Sequence, residues 1–285
     1  MGKLRLAVQK SGRLNEDSLK LLKAIGISID NGKDQLKASA RNFPLEVFFL
    51  RNGDIPQYLR DGVVDIAIIG ENLIIEKGNN IEVVEKLGFS KCRVSIAVPK
   101  TSEAKSLGDL AGKKIATSYP KTVEKFLAKA GVEANLHIIN GSVEIAPNIG
   151  LADAVCDIVS SGSTLFKNNL KEIEVLVKSE AVLVKSPQIT AENQAVLDKI
   201  QFRLQSVLAA RMNKYVLLNA PNNKVDDIIN ILPGIKSPTI LPLAQEGWSS
   251  VHSVINKNDF WDIIDELRAV GAEGILVCPI ENMIQ

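Results

Sequence analysis

The stretch 153-DAVCDIVSSGSTL-165 reads as a mostly apolar run that empties into Ser160-Ser161-Gly162-Ser163-Thr164, with a helix-like pattern after it. The segment 61-DGVVDIAIIGENL-73 aligns with it without gaps, and Asp, Val, Asp, Ile, Gly and Leu recur at matching places. Each copy predicts a buried strand, a turn at Gly and a helix whose first N–H groups point outward as a partial positive charge. Two such units, one per lobe, predict related α/β lobes facing each other across a cleft. Coincidence between two ordinary strand–turn–helix units is the plainer alternative.

Outward from this pair, short apolar runs alternate with helical patterns. LRLAV (4–8), LEVFFL (45–50), VDIAIIG (64–70), RVSIAVP (93–99), KKIATS (113–118) and LHIIN (136–140) read as strands. Residues 16–26, 55–62 and 122–130 read as helices, with Leu19, Leu22 and Ile25 three apart. That alternation predicts layers built on largely parallel sheets. From Lys214 the order changes to β-α-β-β-α-β, that of a ferredoxin-like unit, and residues 190–212 read as a long helix leading to it.

A chain of 285 residues suggests about two domains, and 46% hydrophobic residues support folded cores. Lys and Arg number 34 against 33 Asp and Glu, so no overall charge argues for nucleic acid or an anionic membrane. The N-terminal apolar run is too short for a signal peptide and no 18-residue apolar span occurs, so a soluble, cytoplasmic protein is expected. Cys92, Cys156 and Cys278 are scattered and form no zinc spacing, which fits a reducing compartment. With His137 and His252 the only histidines, a histidine-based metal site or a Ser-His-Asp triad is disfavoured. No G-x-x-x-x-G-K-[ST] and no G-x-G-x-x-G occurs, which disfavours a P-loop NTPase or a Rossmann dehydrogenase.

The candidate chemistry lies at strand ends. Four hydroxyls around Gly162 at a helix start suit a phosphate monoester, although any one of them serves equally as an N-cap. Asp153 and Asp157 share a strand face about 13 Å apart, too far to clamp one ion together. Either could receive a ribose hydroxyl or meet magnesium, or simply solvate a strand end. Lys10 and Arg13 bracket Ser11-Gly12 after the first strand, where a polyphosphate would meet charge and N–H dipoles; an exposed basic turn is the alternative. Arg51 ends another strand, the usual place for ligands in open α/β sheets, and Glu71 and Asn72 end the first echoed strand.

Together, 9-QKSGRL-14, 54-DIP-56, 61-DGVVDIAIIGEN-72, 115-IATSYP-120, 140-NGSVEIAP-147, 151-LADAVCDIVSSGSTL-165 and 238-PTILPLA-244 resemble the ATP phosphoribosyltransferase family in its long, histidine-regulated form, nearly end to end. The resemblance implies two periplasmic-binding-protein-like lobes around a cleft plus a C-terminal ferredoxin-like regulatory domain. On that reading, 1–89 with 179–210 form lobe I, 90–178 lobe II and 211–285 the regulatory domain. It also implies the first step of histidine biosynthesis. In that step adenine N1 of ATP attacks C1′ of 5-phosphoribosyl 1-diphosphate and expels diphosphate, with Mg2+ accompanying the diphosphate.

Carried over residue by residue, the resemblance gives Ser160, Ser161, Gly162, Ser163 and Thr164 the 5′-phosphate, with Ser163 where the family commonly has Ala or Arg. It gives Asp153 or Asp157 the ribose hydroxyls or the metal. Lys10, Gly12, Arg13, Arg51, Glu71 and Tyr119 fall to ATP, with Lys10, Arg13 and Arg51 stabilising charge. Glu144 lies in a family motif without an assigned role. Asn219, Ser237 and Thr239 match positions that bind inhibitory histidine, and a dimer or hexamer is implied. A cytoplasmic ligand-binding protein, two lobes closing on one anion, is the rival expectation.

Overall fold

The computed structural model describes residues 2–30, 35–78, 80–232, 234 and 237–284, in two compact units, Met1–Leu197 and Asp198–Gln285. The first unit carries β1 (Leu4–Gln9), α1 (Arg13–Ala24), β2 (Lys37–Ser39), β3 (Leu45–Leu50), α2 (Ile55–Arg60), β4 (Ile66–Gly70), α3 (Glu71–Lys77) and β5 (Glu82–Lys86). It continues through β6 (Cys92–Pro99), β7 (Lys114–Thr117), α4 (Pro120–Ala130), β8 (Asn135–Ile138), β9 (Ala154–Val159), α5 (Ser163–Lys167), β10 (Leu170–Ser179) and β11 (Ala181–Lys185). α6 (Ala191–Met212) follows.

Two sheets result, ordered β2-β3-β1-β4-β11-β5 and β10-β6-β9-β7-β8. Parallel pairing dominates the middle of the first sheet, but β11 runs antiparallel between β4 and β5, and β6 runs antiparallel between β10 and β9. The sheets are therefore mixed rather than largely parallel. The reason is connectivity. The chain leaves the first sheet after β5, enters the second as β6, and returns from β10 directly into β11, so each entering strand runs against its neighbours.

The echoed segments are both strand–turn–helix units at the centre of a sheet, and they differ at the turn. β4 runs through Gly70 straight into α3, whereas β9 stops at Val159 and leaves 160–162 as a loop before α5. Gly162 has φ 80°, a left-handed conformation that favours glycine. Gly70 has an ordinary φ of −72°, and its need is space: a Cβ there would collide with Asn72 Oδ1. Similarly α1 begins at Arg13, ahead of the expected Glu16, because Gly12 at φ 88° turns the chain at once. Buried Asn15 then ties that turn to β1 through a 2.6 Å bond from Nδ2 to the Gln9 carbonyl.

Alternation along β9 sorts its residues. Ala154 and Cys156 pack with Val123 and Leu127 of α4, while Val155 and Val159 pack with Val143 and Leu165. Asp157 shares the second face, so a carboxylate stands on an otherwise apolar strip.

The second unit contains the rest of α6, then β12 (Asn213–Pro221), α7 (Val225–Ile231), β13 (Thr239–Pro242), β14 (Trp248–Asn256), α8 (Phe260–Ala269) and β15 (Glu273–Pro279). Its antiparallel sheet has the order β13-β14-β12-β15, the ferredoxin-like arrangement. Val216, Leu218 and Val251 face α7 and α8 in one core. No helix among the described residues is long and apolar enough to cross a membrane.

Candidate functional site

Parallel strands place their helix-leading turns at one edge. In the first sheet the C-terminal ends of β1, β3, β4 and β5 share an edge with the start of β11; in the second, the ends of β7, β8, β9 and β10 share one with the start of β6. The two edges meet where the chain crosses between the sheets, at 87–91 and at Glu180. A cavity of about 450 Å³ lies there, lined among others by Glu71, Lys91, Cys92, Arg93, Ser160 and Lys178.

On the first lobe the register Gln9↔Leu50 and the 2.8 Å bond from Lys10 N to the Leu50 carbonyl set Lys10 and Arg51 side by side at adjoining strand ends. Both are exposed, as is Arg13, whose nearest carboxylate is Asp17 at 4.0 Å. Glu71 begins α3 and pairs with Lys86 at 3.2 Å. The first lobe thus offers exposed cations at one strand pair and a neutralised carboxylate at the next.

On the second lobe the hydroxyls of Ser160, Ser163 and Thr164 are exposed, and Ser161 Oγ donates to Ser163 Oγ at 3.0 Å. α5 spans only five residues, so its dipole is slight and the polar groups of the loop carry the anion-binding character. Arg93 braces the loop from β6: Nη1 donates to the Ser160 carbonyl at 3.2 Å and Nε to Glu172 at 2.8 Å.

Asp157 is half-buried two residues before the loop's approach, with Oδ1 accepting from the Ile158 amide at 2.8 Å. Burial first, and the charge of Glu144 second, push its carboxyl above the usual range, opposed by that amide bond. Cross-strand from it, Ser95 is buried with a hydroxyl that lacks a partner among the described residues. Tyr119 stands at the N-cap of α4, its hydroxyl 3.4 Å from Asn72 Nδ2. Burial, then the charge of Asp157, raise the phenol's pKa, so Tyr119 stays protonated.

Asp153 lies apart from the loop. It precedes β9, at the far end of the strand from the loop, is exposed, and accepts from the Lys114 amide at 2.8 Å. The strand's own length sets the two aspartates about 13 Å apart. Glu144 is brought in, on a single turn after β8. His137 is a mid-strand residue of β8.

In the second unit Asn219 lies on β12 and Thr239 on β13, with β14 between them, so two strand spacings of about 4.8 Å each keep them apart. Ser237 Oγ donates to its neighbour, the Pro238 carbonyl, at 3.3 Å. Between Asn219 and Thr239 sits a group that sequence reasoning left out, His252, whose ring lies 2.6 Å from Tyr215 Oη and 3.0 Å from Ser250 Oγ. Arg93, Ser179 and Glu76 were also not legible. Arg93 sits inside a strand, and the others act through cross-lobe contacts that no local pattern announces.

Comparison with known proteins gives the family. The family model HisG, ATP phosphoribosyltransferase, matches residues 51–206, and that of the HisG C-terminal domain matches 210–282. Proteins named ATP phosphoribosyltransferase from Cytophaga hutchinsonii and Bacteroides thetaiotaomicron are each 54% identical, over 282 and 281 residues, covering 99% of both chains in each case. An ATP phosphoribosyl transferase (HisG:HisZ) complex structure from Thermotoga maritima superposes with TM-score 0.62 at 27% identity, over 71% of this chain and 96% of that one. The alkanesulfonate-binding protein SsuA of Xanthomonas axonopodis pv. citri gives TM-score 0.50 at 18% identity, over 72% of each chain, a likeness of fold that makes the lobes periplasmic-binding-protein-like. With both family models matched in order and half the residues identical across the whole length of those relatives, the chain belongs to the ATP phosphoribosyltransferase family.

Proposed function

We propose that this chain transfers the 5-phosphoribosyl group of 5-phosphoribosyl 1-diphosphate to N1 of ATP, the first step of histidine biosynthesis. What supports the reading is that a chain in this family carries an exposed hydroxyl loop at the end of β9 and, separately, a pair of exposed cations at the ends of β1 and β3. Those are handles for two phosphorylated ligands rather than one.

The N1 lone pair of adenine forms the new bond to C1′, and the C1′–oxygen bond to diphosphate breaks with its electrons leaving on diphosphate. N1 carries no proton to be removed first, so the protein's work is alignment and charge stabilisation. Ser160, Ser161, Gly162, Ser163 and Thr164 hold the 5′-phosphate, and Asp157 the ribose hydroxyls. Lys10, Gly12, Arg13 and Arg51 face the ATP phosphates, with Tyr119 and Glu71 beside the base or the leaving group. Among the described residues no group of three or more His, Cys, Asp or Glu could hold a metal alone. Magnesium is commonly held by one or two carboxylates plus substrate phosphate, and Asp157 fits that role with Glu144 nearby. When bound, the ion neutralises departing diphosphate. ATP-dependent release of diphosphate, with appearance of an N1-substituted adenine chromophore, is the deciding assay; folded protein giving neither overturns the reading in favour of a binding module.

Exposed cations act through a screened field worth about 0.2–1 kcal/mol each. Lys10→Ala and Arg51→Ala are therefore each expected to raise the KM for ATP roughly two- to fivefold at low salt. The effect should shrink when KM is measured again in high salt, and a salt-independent effect removes these residues from the phosphate contacts.

Regulation and assembly belong to the same reading: histidine inhibits through Asn219, Ser237 and Thr239, and the enzyme works as a cytoplasmic dimer or hexamer. Initial rates titrated with histidine should fall within the millimolar range. A flat response there contradicts the regulatory role.

A further inference from the structure

α4 and α5 both begin at the cleft edge of the second sheet, yet their N-termini are used differently. The loop before α5 is open. The start of α4 is filled by a side chain of the other lobe: Glu76 of α3, only 4% exposed. Its Oε1 accepts from the Lys121 amide at 3.1 Å, and its Oε2 from the Thr122 amide at 2.9 Å and the Thr122 hydroxyl at 2.8 Å. Thr122 is itself 1% exposed.

One turn earlier on the same face of α3, Asn72 is also buried. Its amide donates to Ser179 Oγ at 3.0 Å, while that hydroxyl donates back to Asn72 Oδ1 at 2.9 Å. Its Nδ2 reaches Tyr119 Oη at 3.4 Å. Residues four apart on a helix lie on one face, so a single polar stripe of α3 docks on the start of α4, the end of β10 and Tyr119.

Covalently the lobes are joined only by the two crossings, which would leave their separation soft. A buried carboxylate changes that. Taking it out of water is costly, and three hydrogen bonds plus the N-terminal dipole of an eleven-residue helix offset the cost only while the lobes stay in register. Any opening strands the charge.

We propose that Glu76 is a positioning residue, an inter-lobe clasp that fixes the distance between the nucleotide on the first lobe and the anomeric carbon on the second. The inference rests on the reaction proposed above. Group transfer is sensitive to such distances, a misplacement of about 1 Å costing up to roughly 10²-fold in rate.

Glu76→Gln keeps the shape but turns an amide donor toward backbone N–H donors; Thr122→Val keeps the volume and removes the hydroxyl. In steady-state kinetics on the full chain, E76Q should lower kcat about five- to tenfold with KM for both substrates within about twofold. T122V should lower kcat less, and the double variant should be no slower than E76Q alone. Wild-type kcat in folded E76Q or T122V, or effects that multiply, overturns the clasp, as does a fall in Tm with kcat untouched. Should E76Q fail to fold, T122V alone decides by the same kcat criterion. An inactive wild-type chain would sink the reaction itself; an active one beside equally active variants sinks only the clasp.

Discussion

Asp157→Asn is expected to raise Tm while cutting kcat/KM by about 10²–10⁴-fold. Two hydrogen bonds from ribose hydroxyls to a carboxylate, at roughly 1.5–3 kcal/mol each, account for the loss. The gain follows from the apolar strip of β9 on which the carboxylate stands. Its pKa is raised by burial and then by Glu144, so between the ordinary aspartate value and the raised one the folded chain binds more protons than the unfolded chain. Stability therefore falls as pH climbs through that window, and the buried carboxyl is a net cost above it. Asn removes it, and each kcal/mol regained lifts Tm by about 2–4 °C in a domain of this size. Thermal melts without ligand or magnesium at neutral pH, beside steady-state rates, test both halves. Near-normal kcat/KM removes Asp157 from the sugar site; a lower Tm contradicts its desolvation.

Thr164→Ala should raise the KM for 5-phosphoribosyl 1-diphosphate about 10–100-fold while moving that for ATP less than about threefold, as expected of one hydrogen bond to a charged group. Thr164 is the informative position because its hydroxyl is exposed, whereas Ser161 and Ser163 already bond each other. Thr164→Ser, which keeps the oxygen, should recover most of the loss. Equal weakening of both substrates would place the phosphate elsewhere.

How much of this was legible in the sequence depended on whether the deciding contact was local. Leu45–Leu50 is apolar except for Glu46 and folds as the strand it announces. The hydroxyl loop was legible because composition alone separates Ser160–Thr164 from Ile68–Asn72. β10 was not, since irregularities between Glu172 and Glu174 and between Val175 and Val177 break the alternation that marks a strand. The spacing of Asp153 and Asp157 along one strand was legible, but the burial of Asp157 beside the charge of Glu144 was not, because 144 and 157 are brought together by folding. Glu76 drew no reading from the sequence, because its partners, Lys121 and Thr122, are distant in sequence and are joined to it by folding alone.

The placement of β11 governs how the polypeptide assembles as it is made. Among the described residues β5 finds its ladder neighbour only in β11, through pairs such as Val182 with Lys86, and β4 needs the same strand on its open side. Strands of the second lobe, by contrast, run from Cys92 to Ser179 in one piece. On a ribosome the lobe encoded later is thus the first to complete its hydrogen-bonding, while the one encoded first waits with two bare edges that invite mispairing. Nascent chains halted just short of Ala181 would carry a finished half and an unsealed one.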